Sequence, residues 1–223
     1  MLKSKLVVTG LIISLSFFAF TVIEIFKLDL KLSHLIYQNY QWEKGNENLW
    51  QWFYNWGPTP SILSGIFCLL FWFHQKVIQK AKNINTGLIL FPLLTLLIGP
   101  GIMVNMVGKE LWGRPRPVNC IDFGGEHQFK HVSEPSYSNH HKSFPSGHAA
   151  SGFHLCALSI YFRKKWKFYS FCTFACWGIL ISTARLLQGG HFISDIFGAI
   201  ILVALTFVLL YPKSNHITNQ SLD

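Results

Sequence analysis

Arg185-Leu-Leu-Gln-Gly-Gly-His191-Phe-Ile-Ser-Asp195 sits in apolar surroundings, with long hydrophobic runs before and after it. His191 and Asp195 are spaced i, i+4, a separation that puts both on one helix face. A carboxylate there can hold one imidazole nitrogen and leave the other aimed outward as a nucleophile or base. Arg185, one Gly-Gly break upstream, is a fixed positive fork suited to a phosphate. Ionisable side chains inside a membrane protein mark a functional site by default. Taken alone, the same residues also read as a polar network at a helix end.

The rest of the chain supplies the membrane. Half of its 223 residues are hydrophobic and 13% are charged, where a soluble domain carries roughly a quarter. The apolar residues come in long blocks, which predicts an all-α polytopic membrane protein with one domain over 1–223. The blocks predict a bundle of six transmembrane helices at about 6–23, 59–73, 88–107, 147–162, 168–187 and 192–211. The net charge of +9 is distributed between these blocks and forms no stripe, so nucleic acid is not the partner. Cys68, Cys156, Cys172 and Cys176 fall inside the expected spans and Cys120 in a polar loop. Neither a disulfide framework nor a zinc spacing follows from them.

Lys3 and Lys5 precede the first block, whose cleavage signal around Ala19-Phe-Thr21 is poor, so it reads as an uncleaved span. Leu28, Leu32, Leu35 and Ile36 share a helical face, as in a helix lying in the interface. The aromatic residues from Tyr37 to Trp56 read as a belt at headgroup depth. Pro58 and Pro60 suit the start of the second span, and Gly99-Pro100-Gly101 predicts a kink in the third. The irregular segment 110–146 is too long for an idle connection. The fourth block is short, roughly 24 Å at 1.5 Å per residue, so its start is expected below the membrane surface. Lys3, Lys5, Lys76, Lys80, Lys82, Arg163, Lys164, Lys165, Lys167 and Lys213 fall on one side, with Asp223 as the one acid there. The positive-inside rule makes that side cytoplasmic, with both termini inside.

Two further stretches land on the opposite side together with the first. Lys109-Glu-Leu-Trp-Gly-Arg-Pro-Arg116-Pro117 carries three cations at a span end. Lys109 alone reads equally as a snorkelling anchor. Arg116, boxed between two prolines, is a stiff, pre-oriented guanidinium of the kind that phosphate recognition needs. Ser143-Phe-Pro-Ser146-Gly-His148 opens the fourth block. Ser146 and Gly147 there can offer backbone N–H groups, and Ser146 a hydroxyl, to an anion; an ordinary capped helix with an interfacial histidine is the plainer reading. Together, Lys109, Arg116 and Arg185 match the charge of a phosphoryl group in its trigonal-bipyramidal transition state. One histidine can attack while the other protonates the leaving oxygen. This chemistry calls for no metal and no cofactor, and no carboxylate cluster is present to hold a metal.

Lys-x6-Arg-Pro (109–117), Pro-Ser-Gly-His (145–148) and Arg-x5-His-x3-Asp (185–195) resemble, in order and spacing, the signature of the type 2 phosphatidic acid phosphatases. That family also includes vanadium haloperoxidases and glucose-6-phosphatase. The resemblance implies a six-helix membrane phosphatase with His191 as nucleophile, Asp195 as its orienter and His148 as general acid. It also implies Lys109, Arg116, Ser146, Gly147 and Arg185 as phosphate ligands. Ala184 departs from the pattern, which usually has serine before the arginine. The strings Ile98–Asn105, Trp112–Pro117 and Gln188–Phe192 further resemble bacterial lipid A phosphatases acting at the 4′ position. The implied partner is a lipid phosphate on the periplasmic face of a bacterial inner membrane, with no obligatory protein partner. Undecaprenyl pyrophosphate, phosphatidic acid and phosphatidylglycerol phosphate are alternative substrates. A transporter and a non-catalytic lipid-binding protein are the readings from other classes.

Overall fold

The computed structural model describes residues 2–82, 84–136 and 141–212. Lys213 and Asp223, used in the charge argument, lie outside the described residues, as does 137–140 of the long polar segment. The architecture is helical: α1 (Leu2–Ile25), α2 (Leu28–Ile36), α3 (Asn48–Trp56), α4 (Thr59–Phe73), α5 (Thr86–Leu96), α6 (Lys109–Trp112), α7 (Gly147–His154), α8 (Lys164–Leu187) and α9 (Ile193–Leu210). Among the described residues, five helical stretches are long and apolar enough to cross a bilayer: Lys3–Ile25, Asn48–Ile78, Thr86–Asn119, Lys164–Leu187 and Ile193–Leu210. Phe17, Phe18, Phe67, Leu70 and Phe168 on these stretches point outward. Lipid tails are as apolar as those side chains, so their exposure costs nothing in a membrane.

The stretch expected as a further span, 147–162, is not among the five. It consists of α7 followed by a 3₁₀ stretch, Leu155–Tyr161. The 3₁₀ rise is longer per residue, so the two together reach roughly 26 Å, near the thickness of a hydrocarbon core. Ala149, Ala150, His154, Leu155, Cys156 and Ala157 are all buried, because α4, α5, α8 and α9 surround this segment. A helix that lipid does not touch has no need of a strongly apolar sequence. Val104, Ala149, Ala150, Ile196, Ala199 and Val203 form the core where α7 and α9 meet the third span.

Polar ties cross this core. Nε2–H of His154 donates to the Pro92 carbonyl (2.8 Å), which leaves Nδ1 to accept from the Ser61 hydroxyl (2.6 Å). Pro92 has no N–H for the Leu88 carbonyl, and the Tyr161 hydroxyl supplies the donor instead (3.0 Å). Beyond α5 the helix widens into π turns over Leu97–Gly108, which accommodate Pro100 where a kink was expected.

Several boundaries differ from the sequence reading. α8 starts at Lys164, so its lysines lie within the helix that 168–187 was expected to form. α3 was not expected at all. The aromatic stretch is also more than a belt. Trp52 and Trp56 are exposed, but Phe53 is buried against Ile181 and Ala184, and Tyr37 and Trp42 pack on Phe123 of the polar segment. Aromatic density alone does not say which rings turn inward. On α2 the exposed residues include Leu28 and Leu35, while Asp29 and Ser33 are buried.

Lys5 Nζ donates to the carbonyls of Leu209 (2.9 Å) and Tyr211 (3.0 Å), and Lys167 Nζ to the Tyr211 hydroxyl (3.2 Å). The starts of α1 and α8 therefore meet the end of α9 at one end of the bundle. The start of α9 is at the other end, where the polar segment folds over it. That segment is held by Glu24, which accepts the Val132 N–H (3.0 Å) and pairs with His131, and by Trp112, whose indole donates to the Val132 carbonyl (2.6 Å).

Candidate active site

The bend between α8 and α9 organises the site. Gly189 turns it with φ +61°. Gly190 lets the Arg185 side chain fold back, since a Cβ there would lie 2.1 Å from Nη2. Arg185, in the last turn of α8, is buried, with Cζ 4.6 Å above the Tyr54 ring. Its Nη1 donates to Gln188, while its buried Nε has no hydrogen-bond partner. A buried, unengaged guanidinium N–H is costly to leave unmade, and a phosphate oxygen would satisfy it.

His191 is in the bend and not on the helix, because α9 begins at Ile193. The shared helix face expected from the i, i+4 spacing is therefore absent. Asp195 in the first turn of α9 reaches back instead. Its Oδ2 accepts the Phe192 N–H (2.8 Å) and the Ser143 hydroxyl (2.6 Å), and Oδ1 accepts from Arg114 Nη1 (2.7 Å). His191 Nδ1 is 3.5 Å from Asp195 Oδ2, an ion-pair separation that is too loose for a good hydrogen bond, and Nδ1 has no other partner. Contacts of this kind commonly tighten only once substrate is bound. Burial pushes the His191 pKa down to about 4, against the opposing pull of Asp195, and the charges of Arg185 and Arg116 add to the lowering. The ring is therefore neutral at neutral pH, the state that a nucleophile requires.

Facing the bend is the start of α7. The Ser146 N–H donates to the Asp195 carbonyl (3.0 Å) and so is not offered to an anion, as the sequence reading had it. Its hydroxyl accepts the Ala149 N–H at a long 3.4 Å. The N–H groups of Gly147 and His148 are in the first turn, where a helix leaves donors without internal partners. Lys109 Nζ donates to Asn105 Oδ1 (2.6 Å), and a Cβ on Gly147 would lie 2.8 Å from that oxygen and 3.2 Å from Nζ. Only glycine lets Lys109 lie so close to the helix start. The His148 ring stacks on Tyr54 with centroids 5.0 Å apart. Arg116 is exposed, and its charge is felt at Lys109, Arg185 and His191.

The structure thus brings Lys109, Arg116, Ser146, Gly147, His148, Arg185, His191 and Asp195 to one end of the bundle. Sequence reasoning missed several of their neighbours. Lys142, paired with Glu110, adds a further positive charge beside Lys109. Tyr54 carries both Arg185 and His148 on its ring, and Ser143 and Arg114 hold Asp195. Arg114 was visible as one of three clustered cations, but nothing local distinguishes a buried arginine from an exposed one. Ala184 is fully buried with Phe53 and Ile181, so the departure at this position puts a methyl group in an apolar cluster. Among the described residues, no three His, Cys, Asp or Glu side chains gather as metal ligands.

The chain is 33% identical over 171 residues to the lipid A 4′-phosphatase of Francisella tularensis subsp. novicida (strain U112), covering 74% of this chain and 76% of that one. It is 40% identical over 105 residues to the lipid A 4′-phosphatase of Rhizobium leguminosarum, covering 46% of this chain and 44% of that protein. With the lipid A 4′-phosphatase of Rhizobium etli it shares 36% identity over 121 residues, 53% of this chain and 44% of that protein. No solved structure gives a significant match. The PAP2 superfamily profile matches residues 88–218, a segment that contains all eight residues named above, and the chain belongs to that superfamily.

Proposed function

We propose that this chain is a metal-independent membrane phosphatase that removes the 4′-phosphate of lipid A through a phosphohistidine at His191. The observation that carries the reading is the buried, neutral His191 with the charges of Arg185 and Arg116 upon it and Lys109 nearby. Such a site binds a phosphate dianion and offers it an uncharged nucleophile. His191 Nε2 attacks phosphorus, the phosphorus–oxygen bond to the sugar breaks, and His148 gives its proton to the leaving oxygen. Asp195 balances the positive charge on the phosphorylated ring. Water then attacks the same phosphorus, giving a proton to His148 and releasing His191. Lys109, Arg116, Arg185, Gly147 and the Ser146 hydroxyl hold the phosphoryl oxygens. The choice of lipid is supported by the three relatives, each named a lipid A 4′-phosphatase.

The test is phosphate release by the purified protein in detergent, from lipid A, undecaprenyl pyrophosphate, phosphatidic acid and phosphatidylglycerol phosphate side by side. Lipid A is expected to be hydrolysed fastest, with the rate unchanged by EDTA and suppressed by vanadate, which copies five-coordinate phosphorus. Faster hydrolysis of undecaprenyl pyrophosphate would reassign the substrate. Loss of activity in EDTA restored by Mg²⁺ would overturn the site chemistry.

The membrane placement has its own test. The site belongs on the periplasmic face of a bacterial inner membrane, with both termini cytoplasmic and the α7 segment as a sixth crossing. A topology reporter fused after Pro135 should report periplasmic, and one after Lys82 cytoplasmic. The reverse pair of signals would put the site on the wrong face for this reading.

A further inference from the structure

Behind Asp195, on the side away from the phosphate cations, lies a second charged group that the steps above do not use. Arg114 is 1% exposed and Asp29 is 4% exposed. Arg114 Nη2 donates to Asp29 Oδ2 (2.8 Å), Nη1 to Asp195 Oδ1 (2.7 Å) and the Ser194 hydroxyl oxygen (2.6 Å), and Nε to the Lys130 carbonyl (2.8 Å). The rings of Phe192 and Phe129 face its guanidinium at 4.5 and 5.4 Å. Asp29 in turn accepts the Ser194 N–H (3.0 Å) and the Ser194 hydroxyl (2.6 Å). Asp29 is on α2, outside the segment matched by the superfamily profile.

Among the described residues, Arg114 is the one cation paired with both buried carboxylates, so the cluster of three carries a net negative charge. How much of it remains on Asp195 sets how negative the carboxylate is toward His191, 3.5 Å away. Without Asp29, nothing would offset the Arg114 charge beside Asp195, and the positive ring formed on phosphorylation would face a neutral Arg114–Asp195 pair in place of a net negative cluster. A simple clasp between α2 and the polar segment would need one carboxylate and one cation. The observed cluster has two carboxylates, and one of them is the partner of His191.

We infer that Asp29 and Arg114 are positioning residues for the reaction: Asp29 draws part of the Arg114 charge away from Asp195, which keeps that carboxylate oriented and negative toward His191. The inference rests on His191 being the nucleophile, and it extends the site to α2. Neither residue is among the phosphate cations, so their loss should change the chemical step and not substrate affinity.

The experiment is single-turnover rapid-quench labelling of the full-length protein, in excess over lipid A carrying ³²P at the 4′ position. In Asp29→Asn, the saturated rate constant for labelling His191 should fall about 10–100-fold, the loss that follows removal of an outer-shell partner orienting a metal-ligating histidine, a comparable arrangement. The enzyme concentration at half saturation should stay within about twofold. A purely structural role would reduce the fraction of folded protein without altering the saturated rate constant of what remains. Arg114→Gln leaves two buried carboxylates face to face and should label more slowly than Asp29→Asn. The double variant Asp29→Asn with Arg114→Gln restores a single negative charge and should label faster than Arg114→Gln alone. A saturated rate constant in Asp29→Asn within about twofold of wild type would overturn the inference, and it decides alone if Arg114→Gln does not fold. Wild-type protein that forms no label at His191 would overturn the phosphohistidine reading itself, a result distinct from either.

Discussion

If His191 is the nucleophile proposed above, His191→Ala should eliminate the phosphoenzyme and lower turnover at least roughly 10⁴-fold, as expected when one member of a set of residues acting as a unit is removed. The size of the effect follows from what surrounds the ring. His191 is 3% exposed, so no solvent-borne group can readily take its place. Nδ1 is turned to Asp195, so in the proposed reaction Nε2 would be the attacking atom. The charges of Arg185 and Arg116 reach the ring, and in the proposed reaction they would stabilise the phosphoryl oxygens as His191 attacks. Truncation would also leave a cavity beside fully buried Phe192, and His191→Gln, which keeps most of the volume, separates chemistry from packing. Both variants should bind lipid A and neither should acquire ³²P. A labelled His191→Ala protein would show that phosphate is transferred elsewhere.

The parts of this molecule that were legible in the sequence are those fixed by local pattern. Residues 59–73 were read as a helix because two prolines open an apolar run, and α4 spans that stretch. The third span was expected two residues late at its start, and its end was expected at 107 although the apolar helical stretch runs on to Asn119; the last, 192–211, lies within one residue of α9 at each end. The residues proposed for the phosphate site were picked out through spacing, since three short motifs carry them, and they gather at one end of the bundle. What escaped depends on contacts between distant residues. Asp29 meets Arg114 and Ser194 across 85 and 165 positions, and no periodicity on α2 announces such a contact. His191 was put on a helix because its spacing to Asp195 suits one, yet the Asp195 carboxylate caps the Phe192 N–H and α9 begins only at Ile193, after His191. α7 (8 residues) and the 3₁₀ stretch after it (7 residues) are surrounded by protein and are together shorter than any of the five apolar stretches, which run 18 residues or more.

His148→Ala should lose activity according to the leaving group. General acid catalysis contributes roughly 10²–10⁴, and it matters only where the departing oxygen needs a proton. The 4′ oxygen of lipid A would leave as a sugar alkoxide, which is strongly basic. p-Nitrophenolate is a weak base and departs without help. To act as an acid, His148 must carry a proton beside Arg185, Lys109 and His191, all of which bear on its ring. A phosphate dianion seated among those charges supplies the opposite sign, so proton and substrate arrive at the site together. The stack on Tyr54 fixes the plane of the ring and a hydrogen bond to the Tyr54 backbone holds one nitrogen, so the other is the one to meet the leaving oxygen. With lipid A labelled at the 4′ phosphate, labelling of His191 in His148→Ala should slow by about 10²–10⁴. With p-nitrophenyl phosphate the loss should be about tenfold or less, because the remaining deficit is one of positioning and not of proton transfer. Rapid-quench rates on the two substrates give the comparison directly. Equal losses on both would mean that His148 serves the phosphate and not the leaving group, and the proton would then have to come from water or from Lys109.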